Sequence, residues 1–195
     1  MPGYIIVTKS APFMFSFLWG ATLYGFLVLR KTHHENLRHL WKWSGVNWAS
    51  MKPILIRWAI ASAAMCVFIY FYEPDRFLYL PRNHPEILPM LATFYPVFSA
   101  LPQEFIFCSF FFARYVPYFG SSRGMVWASA IVFAYAHVLY INPVAPVMSL
   151  LGGLIFAQTY MQSKSLALVT IEHSLYGFSL FFSGLGWYFY SGAVQ

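Results

Sequence analysis

Charge is what this chain has least of. Of its 195 residues 9% are Asp, Glu, Lys or Arg, and only six are acidic. So little ionic surface excludes the ordinary soluble globular class. Cysteine is also scarce: Cys66 and Cys108 both fall in apolar stretches, and two cysteines make no disulfide framework. The alternating ten-residue pattern of an outer-membrane barrel is missing. Residues 11–29 carry no charge and end at Arg30-Lys31, with no basic region immediately before them and no small-residue cleavage site. They are therefore expected to be a retained first span and not a signal peptide. The formal charge of +6 is scattered through connections between apolar runs, so it forms no nucleic-acid patch and no such partner is expected.

What is present is apolar and aromatic, at 59% and 22% of the residues, with a mean hydropathy of +0.59. The runs are long enough for helical spans of roughly 20 residues. The expected fold is an all-α polytopic membrane bundle, one domain over residues 1–195, with six spans near 11–29, 53–72, 86–116, 124–141, 144–162 and 165–190. Pro96 and Pro102 should bend the long third span just before Glu104, since each proline removes a backbone hydrogen bond and crowds the preceding turn. A bend beside a carboxylate suggests a wet pocket, because freed backbone groups inside a membrane need protein or water around them.

Counted over alternate connections, Arg30, Lys31, Arg38, Lys42, Lys52, Arg114, Arg123 and Lys164 fall on one side, against Lys9, Arg76 and Arg82 on the other. The positive-inside rule makes the first side cytoplasmic and both termini non-cytoplasmic. Arg57 is close enough to Lys52 to snorkel to that interface and reads as structural. Leu37, Leu40 and Trp41 against Arg38 and Lys42 suit either a short amphipathic helix on the leaflet or a wet basic loop. Ala130/Ala134 and Gly153/Ala157 have the spacing for close helix approach, and Trp187-Tyr188-Phe189-Tyr190 reads as an interfacial anchor.

Inside the apolar runs only five ionisable residues remain, and four are proton-moving groups: Glu104, His137, Glu172 and His173. Each costs at least ~2.5–3.5 kcal/mol at the bilayer centre, which favours chemistry or transport over packing. Measured from Arg114, Arg123 and Lys164 at 1.5 Å per residue, Glu104, His137 and His173 lie roughly 15, 21 and 14 Å deep, near the middle of a core about 30 Å thick. A carboxylate and an imidazole sharing a water can act as general base and orienter, and a second imidazole can support a developing oxyanion. The same three could hold a divalent metal such as zinc, for which two His and one Glu are a catalytic set. Without a His-Glu-x-x-His pattern, no cofactor is required. Glu172 points about 100° from His173 on a helix and reads as a supporting group. Cys108 lies one turn after Glu104, and burial makes its thiol inert.

The order of these residues carries a resemblance. Pro102-Gln103-Glu104-Phe105-Ile106-Phe107-Cys108, then Phe133-Ala134-Tyr135-Ala136-His137, then Gly152-Gly153 and Ser165-Leu166, then Glu172-His173-Ser174-Leu175-Tyr176-Gly177, resemble the CPBP family over roughly residues 90–185. This is the family of CAAX proteases and bacteriocin-processing enzymes, also called the Abi family, of intramembrane endopeptidases. Its motifs are Glu-Glu followed after three residues by Arg, Phe-x-x-x-His, and a late His followed about four residues on by Asn or Asp. Phe133 and His137 complete the second, and His173 matches the late histidine. Gln103 stands for the first Glu, Cys108 for the Arg, and Gly177 or Phe178 for the Asn.

The resemblance implies hydrolysis of a peptide or membrane-protein segment entering from the cytoplasmic side. Glu104 would be general base, His137 its partner and His173 electrophilic support, with Gln103, Phe133, Cys108, Glu172 and Tyr176 around them. Tyr176 could supply a hydroxyl, although on a helix it is expected to point away from the His173 face. Nothing in the sequence implies a prenylated partner, and the small size and motif variant suggest a bacterial inner-membrane protein. Two alternatives stand beside this reading. One is a degenerate member that binds peptides or partners without cleaving them, supported by the three replaced positions. The other is a small proton-coupled carrier, against which stands the lack of an inverted repeat.

Overall fold

The computed structural model describes residues 14–33, 37–120 and 122–189, and among them it is helical with no strand. Lys9, the start of the first expected span and Tyr190 lie outside the described residues. The helices are α1 (Met14–His33), α2 (Arg38–Trp41), α3 (Trp48–Tyr72), α4 (Tyr79–Asn83), α5 (Ile87–Phe119), α6 (Arg123–His137), α7 (Val144–Ser163) and α8 (Leu166–Ser183). Four of them, α3, α5, α7 and α8, are long and apolar enough to cross a membrane. Of the other two expected spans, α1 carries Arg30 and Lys31 in its last turn, and α6 has 15 residues, a rise of about 22 Å. The fourth expected span was to run to residue 141, but the α-helix ends at His137 and passes into a 3-10 turn, Val138–Tyr140. The last one stops at Ser183, where Gly184 takes φ +109° and its α-carbon abuts the Arg76 carbonyl, leaving no room for a side chain.

The expected bend in α5 is a double change of helical pitch. Pro96–Ala100 and Phe105–Phe110 are π-helical, and between them lies one α-turn, Leu101–Glu104. Proline at 102 cannot donate to the Phe98 carbonyl, and that carbonyl instead accepts from the Trp19 indole of α1 at 3.2 Å. In the second π-turn the Phe107 carbonyl accepts from the Ser129 hydroxyl of α6 at 2.7 Å. Neighbouring helices thus satisfy the irregular backbone, which lets it persist at this depth.

Helix α8 is the centre of the bundle: 61% of its apolar window is buried, against 17% for α3, whose outer face is exposed. Helices α6 and α7 pack closely on each other through the small residues identified above. A side chain grown on Gly153 would sit 3.0 Å from the Ala130 α-carbon and 3.2 Å from the Phe133 ring. One hydroxyl fastens the basic connection to α8. Ser165 Oγ caps Leu168 N at 3.1 Å and donates to the Lys42 carbonyl at 2.9 Å, while Lys42 Nζ donates to the Ser163 carbonyl at 2.7 Å. The connection after α1 therefore contains one helical turn, α2, followed by a 3-10 turn with Trp41 and Trp43 stacked. At the other end Leu78 N donates to the Ser183 carbonyl at 2.9 Å, and the Arg76 guanidinium lies 4.0 Å over the Trp187 ring. Connections that alternate in sequence thus share ends of the bundle.

Glu73, just past α3, bonds the Tyr188 hydroxyl and pairs with Arg76 at 2.6 Å. Burial pushes the Glu73 carboxyl up, but the Tyr188 hydroxyl and the Arg76 guanidinium outweigh it and hold the group below its ordinary value. Burial, with Glu73 beside it, pushes Tyr188 up to about 12. A depressed carboxyl stabilises the fold while ionised, and this contribution is lost as pH falls through the native pKa. Acidification below the ordinary carboxylate range should therefore loosen this end first, read as a change in Trp187 fluorescence that Glu73→Gln abolishes. Gly153→Leu should cost about 1–3 kcal/mol by overpacking the α6–α7 contact, seen as a lower unfolding midpoint in detergent.

Candidate functional site

The turn between the two π-segments aims Glu104 at α8. Its residue is 1% exposed, and His173, on the facing side of α8, is 5% exposed. A carboxylate so buried needs partners for both oxygens. Glu104 Oε1 lies 2.7 Å from His173 Nδ1, and Oε2 accepts from the Cys108 thiol at 3.1 Å. The close Nδ1 contact makes that nitrogen the N–H donor and leaves Nε2 facing away from the acid. Nε2 stands 3.0 Å from the Tyr95 hydroxyl. Phe156 stacks on the imidazole, with centroids 4.6 Å apart and planes 11° apart.

His137 arrives from another direction. As the last residue of α6 it sits nearer the far end of the bundle from Arg123 than Glu104 does from Arg114. Its Nδ1–H donates to the Phe133 carbonyl at 2.8 Å, so in the neutral ring the lone pair lies on Nε2. Phe133 stands beside both imidazoles, 4.6 Å from the His137 ring and 5.8 Å from that of His173. Among the described residues His137 makes no hydrogen bond to Glu104 or His173. What joins the two histidines is a shared cavity of about 1050 Å³, walled also by Tyr95, Gln103, Tyr140 and Tyr176. Most of its remaining lining is apolar, with residues such as Met90, Leu154 and Phe181. Glu104 does not line it and reaches it through His173.

The remaining predicted residues divide. Gln103 lines the cavity, donates to Ser99 Oγ at 2.9 Å and leaves its buried Oε1 unpartnered. Phe133 and Cys108 touch the pair directly, and both cysteines are free thiols. Glu172 faces away, as helical geometry requires, and is completely buried. Its partner corrects the expectation for Arg57. That guanidinium does not snorkel to the interface but turns inward, donating to Glu172 Oε1 at 2.7 Å and to Thr159 Oγ1 at 2.6 Å. An acid inside the bundle holds it more strongly than headgroup water does. Tyr176 is corrected too: three residues after His173 it lies one turn on, lines the same cavity and packs edge-on against Phe156. Of the two positions where an Asn was expected, Phe178 lines a separate cavity of about 470 Å³ beneath Trp41 and Trp43, so Gly177 is the one that faces the site.

Tyr95 was missed. It is one aromatic among many in an apolar run, and only its place one residue before Pro96, at the onset of the bend, set it apart. For a metal the donors do not fit as arranged. Among the described residues no three His, Cys, Asp or Glu side chains are grouped to hold an ion, and Glu104 is bonded to His173 Nδ1 and the Cys108 thiol.

The site is thus a buried acid–imidazole pair beside a largely apolar cavity, within a bundle that has four helices long and apolar enough to cross a membrane. Residues 85–179, just under half of the chain, match the family model described as Type II CAAX prenyl endopeptidase Rce1-like. No curated protein and no solved structure matches the chain.

Removing Arg57 should strand the Glu172 charge. For fully buried pairs such a loss costs about 3–5 kcal/mol, and with the Arg57 side chain 37% exposed the lower end applies. Arg57→Met should lower the unfolding midpoint in detergent, and Arg57→Met with Glu172→Leu should recover most of the loss.

Proposed function

We propose that the chain is an intramembrane endopeptidase that hydrolyses peptide bonds of membrane-associated peptides or proteins in the cavity shared by His137 and His173. The observation that carries this reading is the buried 2.7 Å bond between Glu104 and His173, whose far nitrogen is directed toward that cavity. A neutral histidine with a free Nε2 suits a base, and His137 has that form. It takes a proton from water as the oxygen bonds to the scissile carbonyl carbon, and returns that proton to the departing amine as the C–N bond breaks. His173 is the electrophilic side. The carboxylate against Nδ1 orients the imidazole, whose Nε2 side serves the oxyanion of the tetrahedral intermediate. Glu104, read from the sequence as the base, acts here as the charge partner of His173, because neither of its oxygens is free to hold water.

The apolar lining suits a hydrophobic segment, and the shared ends of the bundle support the eight-to-three charge count that places the Lys42 and Lys164 end in the cytoplasm. We place the protein in a bacterial cytoplasmic membrane with substrate entering from that side.

The test uses the full chain in liposomes with a pool of synthetic transmembrane peptides in ¹⁸O-labelled water. The wild type should generate labelled carboxyl termini, and Glu104→Gln, His137→Ala and His173→Ala should each slow this by ~10² or more. Undiminished cleavage by Glu104→Gln overturns the assignment. A wild type that binds the peptides without labelling them is a non-cleaving member of the family, and uptake driven by a pH gradient would make it a carrier.

A further inference from the structure

Tyr95 ends the first α-helical part of α5, immediately before the π-helical turn begins at Pro96. Its phenol points at α8. The ring is held edge-on by His173 and Phe181, each with centroids 5.9 Å away. Directly opposite, Gly177 has no side chain, and a methyl there would collide with the Tyr95 ring carbons and with its hydroxyl. The hydroxyl thus occupies the volume that any other residue at 177 would fill. That places it on Nε2 of His173 while the ring forms part of the cavity wall.

The order of bonds decides what this hydroxyl can do. A carboxylate at Glu104 can only accept, so the 2.7 Å contact engages the Nδ1–H of His173 and turns Nε2 toward Tyr95. When Nε2 is also protonated, it donates to the phenolic oxygen, and the phenol's own proton then turns either to the neighbouring Ser99 hydroxyl or to an oxyanion in the cavity. We propose that Tyr95 is a catalytic residue, its hydroxyl donating a hydrogen bond to the oxyanion formed in the cavity, with Gly177 conserving the space it needs. The inference rests on the endopeptidase reading and adds a donor to it. The Gln103 amide is a weaker candidate because it already donates to Ser99. No proton need be transferred: the bond shortens as charge builds on the carbonyl oxygen and lengthens as the intermediate collapses. Such bonds, stronger in the transition state than in the ground state, act on turnover and not on substrate binding.

Tyr95→Phe keeps the ring and removes the donor. In the labelled-water assay it should lower kcat by ~10²–10³ with KM little changed, and leave the unfolding midpoint where it was. Gly177→Ala, which displaces the ring, should lower kcat as well. A kcat for Tyr95→Phe within about threefold of wild type, or a loss carried by KM alone, overturns the proposal. A second measurement separates this failure from failure of the endopeptidase reading. With ¹⁵N-labelled histidine in nanodiscs, assigned through His173→Gln, the Nε2 resonance of His173 should move on Tyr95→Phe while those of His137 stay. If the wild type cleaves nothing but this resonance moves, the hydrolytic reading falls and the hydroxyl–imidazole bond stands. If it does not move, Tyr95 is not joined to His173 and the proposal is wrong.

Discussion

Two ionisable side chains that are both nearly sealed from water must satisfy each other, and the bond between Glu104 and His173 meets that demand across α5 and α8. The constraint is severe because hydrocarbon offers a stranded carboxylate no alternative partner. It fixes the rotation of α8, since His173 must face α5. That in turn sends Glu172 to the opposite side, where a second charge pair with Arg57 ties α8 to α3. Thr159 of α7 joins the same guanidinium. Three helices are thereby registered on α8 by polar contacts, while the apolar packing around them is free to be generic.

The irregular backbone of α5 belongs to the same economy. A regular helix could not turn Glu104, Gln103 and Tyr95 toward α8 and the cavity together while keeping every carbonyl bonded internally. Proline removes donors at chosen points, the π-turns change the angular offset on either side of Glu104, and Trp19 and Ser129 cap the carbonyls that result. Each element of distortion has its own partner on another helix.

How far this was legible in the sequence depended on whether a signal was local. The apolar runs, the bend at Pro96 and Pro102 and the small-residue contact of Ala130 with Gly153 are properties of one or two segments, and they were readable. Glu104, His137 and His173 stood out because ionisable groups are rare in such runs. The pairing was not readable, because depth along a helix says nothing about which way a side chain faces. Glu104 was therefore paired with His137, although of the two histidines it bonds only His173. Arg57 was misjudged for a related reason: its nearness to Lys52 suggested the interface, and its partner lies 115 positions away. Tyr95 carries no charge and sits among 42 aromatic residues, so beyond its place before Pro96 only three-dimensional contacts, with His173 and with the side-chain-free Gly177, distinguish it.

The indole of Trp19 and the guanidinium of Arg57 both come from the region ahead of residue 85, where the family match starts. The matched stretch is thus not self-sufficient. Cut out on its own it would expose an orphaned carbonyl at its bend and an uncompensated acid, Glu172, beside His173. Helices α1 and α3 therefore act as buttresses, delivering one hydrogen-bond donor and one positive charge to those two points.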